Sequence, residues 1–222
     1  MAGALTGGPG PSTGGGAPIR VGVIDDHPVV GEGTAAVLRA QPGLEVVGVA
    51  GSLDAARAAG LTDAATVDVL LLDIRLGTDS GLNLLSDSGA GPALPAVIVL
   101  TAYDYPQYAE AALGLGAAGF VLKTAPLAEL VDAIRRVAGG GLAFAVRPRG
   151  GGRVHLTARE HDVVRLVADG RSNDEIGASL GIGAKTVETH LSRVFERFGV
   201  ASRAELAAKA VREGWLDVPP RG

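Results

Sequence analysis

The sequence predicts a doubly wound α/β domain built on a five-stranded parallel sheet, followed by an all-helical domain of four short helices. Three features carry that prediction: five evenly spaced apolar runs, a glycine-rich break near residue 140, and a series of helix-start signals beyond it. The apolar runs are Ile19 to Ile24, Leu44 to Ala50, Val67 to Leu72, Ala96 to Leu100 and Gly119 to Leu122. Strands of that length with little polar alternation belong to a sheet covered on both faces. Right-handed crossovers then place helices near 28–40, 53–60, 81–88, 105–116 and 126–138.

Residues 1–18 are rich in Gly, Pro and Ser, have no periodic pattern, and are expected to form a disordered tail. The α/β domain spans 19–138 and a flexible linker 139–154, where two triplets of glycine flank Arg147, Pro148 and Arg149. The helical domain occupies 155–216, and 217–222 form a short tail. Its helix starts carry capping boxes, in which a hydroxyl and a glutamate three residues on satisfy each other's backbone donors. These are Thr157 with Glu160, Ser172 with Glu175, and Ser202 with Glu205.

At 222 residues the chain suits two domains of about 100 residues each. Its 47% apolar content is enough for two cores. The absence of cysteine excludes disulfides, thiolate metal sites and cysteine nucleophiles together. No apolar run approaches the ~20 residues that a membrane helix needs, and a cytoplasmic location is expected. The net charge of −4 divides unevenly. Residues 1–145 hold 7 Lys/Arg against 14 Asp/Glu, whereas 146–222 hold 13 against 10. An acidic first domain suits a cation or phosphate chemistry, and a basic second one suits a polyanion.

Four polar signals follow directly on strands: Asp25-Asp26, Asp73, Thr101 and Lys123. All therefore meet at the carboxyl edge of the sheet, where open parallel sheets bind their ligands. Three carboxylates crowded together repel one another unless a cation holds them, and Mg²⁺ with its preference for oxygen is the natural occupant. Lys123 adds a fixed positive charge and Thr101 a hydroxyl, both suited to a phosphoryl group.

The blocks IDDHPVV, LLLDIRL, VLTAY and GAAGFVLK, in that order and spacing, resemble the receiver domains of two-component response regulators, a flavodoxin-like fold. The resemblance implies Asp73 as phosphoacceptor, and Mg²⁺ held by Asp25, Asp26, Asp73 and the backbone carbonyl of Arg75. It implies Thr101 and Lys123 as the groups that grip the phosphoryl oxygens, with Thr101 and Phe120 as switch residues. His27 receives no role. The chain departs from the family at Leu76-Gly77, where Met-Pro is usual, and the loop after Asp73 is accordingly expected to be freer. Phe120 stands where tyrosine is common, so its inward and outward rotamers would differ by burial alone.

Residues 156–214 resemble the LuxR-type helix-turn-helix module almost throughout. Val187, Leu191, Val194 and Phe198 form one apolar stripe on a helix starting near Ala184. The opposite face mixes acidic, basic and hydroxyl groups. By position in that motif, Thr186 joins the DNA-facing set, Glu188, Thr189 and Ser192 face bases, and Lys185, His190 and Arg193 face the backbone. Trp215 is expected to anchor the last helix.

Together the two resemblances are those of a NarL/FixJ-type response regulator: a sensor histidine kinase as phosphodonor, double-stranded operator DNA as target, homodimers on phosphorylation, and RNA polymerase as a further candidate partner. The acidic receiver is expected to cover the basic recognition helix until phosphorylation releases it. Apart from Mg²⁺-dependent self-phosphorylation, no enzymatic turnover is expected. A Mg²⁺-dependent phosphohydrolase of the haloacid-dehalogenase type would need an aspartate where Arg75 stands. A lactone-sensing LuxR-type regulator would need an apolar pocket in place of the acidic strand ends. A flavodoxin-like electron carrier would be yellow.

Overall fold

The computed structural model describes residues 17–77, 79–86, 93–144 and 156–218. The expected disordered tail, apart from residues 17 and 18, and the linker from 145 to 154 lie outside the described residues. In chain order the first domain contains β1 (Ile19–Ile24), α1 (Pro28–Arg39), β2 (Leu44–Ala50), α2 (Leu53–Ala58), β3 (Val69–Leu72), β4 (Arg75–Leu76), β5 (Asp79–Ser80), α3 (Asn83–Ser86), β6 (Ala96–Thr101), α4 (Pro106–Gly114), β7 (Gly119–Leu122), α5 (Leu127–Ala138) and β8 (Ala143–Phe144). The main sheet runs β2-β1-β3-β6-β7-β8, with every pairing parallel. The order reverses between β1 and β3, which opens a crevice at their carboxyl ends.

Period-two alternation sorts the strand side chains into two cores, one on each face of the sheet. Ile24, Leu70, Leu72, Val97, Val99 and Phe120 pack against α2, α3 and α4 through Ala56, Leu84, Tyr108 and Ala112. Val21, Val23, Val69, Leu71, Ile98 and Val121 face the other way, against Leu38 of α1 and Leu130, Ile134 and Val137 of α5. Both faces are covered, as apolar strands without alternation require.

The sheet has six strands where the sequence predicts five. Ala143-Phe144, in the segment assigned to the linker, pairs in parallel with Gly119-Phe120. Two apolar residues beyond a glycine turn are too short a run to signal a strand. The other addition is a hairpin in which Arg75 and Leu76 pair antiparallel with Ser80 and Asp79. Val67 is buried but precedes its strand, because the register opposite Val21 and Ala96 begins at Val69.

The second domain packs α6 (Ala158–Ala168), α7 (Asn173–Leu180), α8 (Ala184–Phe198), α9 (Arg203–Arg212) and a 3₁₀ turn (Trp215–Asp217) around a third core. Full capping boxes open α6 and α7. At α9 the Ser202 hydroxyl accepts from Glu205 N–H, but the Glu205 carboxylate accepts from Ala201 N–H instead of closing the box. Left-handed Gly181 and Gly199 end α7 and α8. Trp215 is buried against Phe198 and anchors the C-terminal turn.

Candidate phosphoryl site and nucleic-acid interface

The sheet itself sets the acidic groups. Beyond the last strand residues, the ladder continues one step through Asp25 N–H to the Ala50 carbonyl (3.0 Å), Asp73 N–H to the Ile24 carbonyl (2.9 Å) and Lys123 N–H to the Thr101 carbonyl (2.7 Å). Those bonds hold the three side chains at the crevice between β1 and β3. Lys123 Nζ lies 2.7 Å from Asp25 Oδ2 and 2.6 Å from Asp73 Oδ2, so one ammonium bridges two buried carboxylates. Asp73 Oδ1 accepts from Ile74 N–H at 2.7 Å. Thr101 is fully buried, and its hydroxyl oxygen accepts from Tyr103 N–H at 3.3 Å.

Burial pushes the Asp73 carboxyl above its ordinary range, against the opposing pull of Lys123. Burial also pulls Lys123 down, but its hydrogen bonds to Asp25 and Asp73 outweigh this and hold it above the usual lysine value. The lysine therefore stays charged between the two aspartates.

Ligand atoms of Asp25, Asp26, His27 and Asp73 lie within 4.8 Å of one another. Asp26 Oδ1 is buried without a hydrogen bond, 2.7 Å from His27 Nδ1. A concentration of carboxylate oxygen with an orphaned acceptor fits a hard divalent cation. His27, given no role by the sequence, falls inside this group because its backbone N–H donates to Asp25 Oδ1 and turns the chain into α1.

The loop after Asp73 is held, contrary to the expectation that Leu76-Gly77 frees it. Leu76 is buried in the core, and the β4–β5 pairing closes the hairpin. Gly77 takes a φ of 66°, which glycine adopts cheaply, and its N–H donates to Asp26 Oδ2 at 2.8 Å. Proline has no N–H to give. The departure from Met-Pro thus supplies a tether to the acidic pair. At Gly81 a side-chain carbon would lie 2.0 Å from the Asp73 carbonyl oxygen, so only glycine lets the returning strand pass.

Phe120 is fully buried in the core beneath α4, the inward position for this ring. On α8, Val187, Leu191 and Val194 are buried, and Phe198 packs against the same core. Lys185, Thr186, Glu188, Thr189, Ser192 and Arg193 are exposed, with His190 half-buried. Thr189 and Ser192 donate their hydroxyls back to the Lys185 and Glu188 carbonyls, at 3.0 Å each, and keep their outer lone pairs free. Lys185 Nζ pairs with Glu188 Oε2 at 2.7 Å.

The recognition helix is open, which corrects the expectation that the receiver covers it. The receiver instead touches the far end of the helical domain. Arg75 Nε and Nη2 donate to Asp217 Oδ2 at 3.1 and 2.9 Å, and Tyr108 donates its hydroxyl to the same carboxylate. Ser80 bonds the Asp217 carbonyl and Gln107 the Glu213 carbonyl. Asp217, assigned to a tail by the sequence, is part of a domain contact. Its tie to Arg75 spans 142 positions, which no local pattern announces.

A strand-end cluster of Asp, Thr and Lys on a doubly wound parallel sheet, joined to a helix-turn-helix with an open reading face, defines a phosphorylation-type receiver coupled to a DNA-binding module. Comparison with known proteins agrees. The response regulator receiver domain family matches residues 21–135, and the bacterial luxR regulatory family matches 154–210. The transcriptional regulatory protein UhpA of Salmonella typhimurium is 39% identical over 201 residues, covering 89% of this chain and all of that protein. A probable transcriptional regulatory protein NarL of Mycobacterium tuberculosis is 36% identical over 210 residues, covering 90% and 96%. Among solved structures, an RcsB response regulator of Salmonella typhimurium matches at 25% identity with a TM-score of 0.52, covering 88% of this chain and 99% of that one. The chain belongs to the LuxR-type response regulators, with a receiver and a DNA-binding domain. Position 75 holds arginine and the strand ends are acidic, so the phosphohydrolase and lactone-sensor alternatives fall away. No described helix is long and apolar enough to cross a membrane.

Proposed function

We propose that Asp73 accepts a phosphoryl group from a sensor histidine kinase and that this drives pairing of the chain on operator DNA. The observation that carries the reading is the Lys123 ammonium bridging Asp25 and Asp73 at the carboxyl edge of the sheet. In the transfer, an Asp73 carboxylate oxygen forms a bond to phosphorus as the phosphorus–nitrogen bond of phosphohistidine breaks. The departing electron pair stays on the imidazole nitrogen, which takes up a proton. Lys123 stabilises charge on the transferring oxygens, and the Thr101 hydroxyl turns from Tyr103 N–H toward the phosphoryl group. Mg²⁺ is the cofactor that Asp25, Asp26, Asp73 and the Arg75 carbonyl would hold, and it supplies charge neutralisation for the phosphoryl oxygens. Phe120 reports the move of Thr101 by staying in or leaving the pocket behind it.

At the other end, Glu188, Thr189 and Ser192 read base edges, Lys185, His190 and Arg193 hold the backbone, and Thr186 completes the DNA-facing set. One short helix covers few bases, so two half-sites and a homodimer are required. RNA polymerase is the further partner, and the cytoplasm the place of action. The test is phosphorylation by acetyl phosphate and Mg²⁺ followed by intact mass. One phosphoryl mass is gained by the native chain and none by Asp73→Asn. A phosphorylated Asp73→Asn chain would refute the assignment.

A further inference from the structure

The three aspartates at the strand ends carry six carboxylate oxygens, and five of them already have a donor. Asp25 Oδ1 accepts from His27 N–H at 3.0 Å, while Asp25 Oδ2 and Asp73 Oδ2 share the Lys123 ammonium. Asp73 Oδ1 accepts from Ile74 N–H, and Asp26 Oδ2 from Gly77 N–H. The sixth oxygen, Asp26 Oδ1, is buried and makes no hydrogen bond. Its neighbour is the His27 imidazole, whose Nδ1 lies 2.7 Å away with no N–H aligned on it. A buried carboxylate oxygen left unpaired is costly, and the pairing of Asp26 with His27 leaves that cost to a ligand.

The imidazole is free to take part. His27 occupies the N-cap of α1, where a side chain ordinarily accepts from the first helical N–H groups, yet it makes no such bond. The side chain is 68% exposed, so an ion can reach it from solvent. Its Nδ1 also lies 3.7 Å from Asp25 Oδ1, inside the group that Asp73 completes. Ligand atoms ~2.1 Å from an octahedral ion sit about 3 Å apart at neighbouring positions, and the 2.7 Å between Nδ1 and Oδ1 suits such a pair. The nitrogen then bears on which ion is held. Mg²⁺ favours oxygen and keeps its waters, whereas imidazole suits first-row transition ions.

We propose that His27 Nδ1 is a metal ligand and that, beside Asp26 Oδ1, it makes the strand-end site prefer a transition dication such as Mn²⁺ or Zn²⁺ over Mg²⁺. The inference rests on the reading of this cluster as the cation site beside Asp73, and it extends the ligand set from oxygen alone to oxygen and nitrogen. Mg²⁺ still binds, through the aspartates and water. Lys123 keeps its hold on Asp25 and Asp73, so the preference is set on the side of the crevice where α1 begins.

The test titrates full-length protein with Mn²⁺, reads the free ion by its electron paramagnetic resonance signal, and examines the bound ion by pulsed resonance for coupling to nitrogen. Native protein is expected to bind Mn²⁺ with a nitrogen coupling. His27→Asn, which keeps a favourable N-cap for α1, should still bind Mn²⁺ but without the coupling. Displacement of Mn²⁺ by Zn²⁺ and by Mg²⁺ then measures the preference. In His27→Asn the Zn²⁺ affinity should fall at least about tenfold, no less than loss of an outer-shell partner costs, with the Mg²⁺ affinity within about twofold of native. Asp26→Asn should weaken all three ions, and unchanged binding there overturns the pairing. Three of the four histidines lie elsewhere in the sequence, so a coupling that persists in His27→Asn overturns the assignment. Native Mn²⁺ bound without any nitrogen coupling overturns it equally, and equal losses of Zn²⁺ and Mg²⁺ overturn the preference. Failure of every ion to bind native protein removes the cation reading itself. No phosphoryl mass on the native chain with Mg²⁺ removes the phosphoacceptor reading instead, and the nitrogen coupling still tests His27.

Discussion

Replacing Lys123 by methionine removes the only cation that touches both Asp25 and Asp73 among the described residues. The three side chains are 14%, 2% and 6% exposed, so solvent cannot take over the role of the ammonium. Two routes give the cost. Breaking a buried pair by deleting one partner destabilises by about 3–5 kcal/mol. Alternatively, one aspartate can bind a proton, which costs about 1.4 kcal/mol for each pH unit above its ordinary pKa near 3.9, or about 4 kcal/mol at pH 7 and about 1.5 at pH 5. The routes agree at neutral pH, and the second predicts a pH profile. Burial already raises the Asp73 carboxyl, and loss of Lys123 raises it further. A folded-state pKa above the unfolded one contributes stability below the unfolded value and loses it as pH rises through the folded value. The variant should therefore approach native stability near pH 4–5 and fall behind it toward pH 8, lowering the receiver melting temperature by roughly 10 °C or more. Mg²⁺ should restore most of the loss, since it supplies the missing charge. Thermal melts at pH 5 and 8, with and without Mg²⁺, decide the matter. An equal loss at both pH values, or one that Mg²⁺ leaves untouched, would refute the bridging role.

Two further outcomes test the helical domain. Glu160 accepts from Thr157 N–H at 2.9 Å and from Arg197 at 2.8 Å, and although burial raises its carboxyl, those bonds win and hold it below the usual glutamate range. Its stabilisation is thus present above the ordinary glutamate pKa and lost as pH falls through the lowered value; Glu160→Gln should cost about 1–3 kcal/mol at pH 7 and flatten acid melts of the domain below pH ~4.5. Glu188→Ala should relax preference at one operator position by about 1–3 kcal/mol in binding-site selection, whereas Lys185→Ala should weaken all sequences alike. The exposed Lys185–Glu188 pair costs only about 0–1 kcal/mol to open on DNA and does not mask either effect.

The acidic cluster is legible in the sequence because each of its aspartates sits one or two steps past an apolar run, and a parallel sheet brings such steps together. The capping boxes at Thr157 and Ser172 are equally legible, since their partners are three residues apart. What escapes is set by distant partners. Ser80 and Asp217 lie in short segments that carry no periodic signal, and their meeting depends on how two finished domains dock. Gly77 shows the middle case. Its departure from the family pattern is visible, but the sign of the effect is not, because the gain comes from an N–H aimed at Asp26 across 51 residues.

An open recognition helix changes how control must work. If the reading face is free in the unphosphorylated chain, the off state cannot depend on covering it, and the difference lies in whether two helical domains can meet two half-sites at once. A modest shift suffices for that. Suppose each protomer is competent to pair about one time in ten and phosphorylation shifts the equilibrium about 50-fold, within ordinary coupling energies. Each protomer is then competent about 85% of the time. A dimer needs both, so the competent fraction rises from about 1% to about 70%, because the requirement squares the response. Only that fraction gains the ~10²–10⁴ advantage of linked half-site binding.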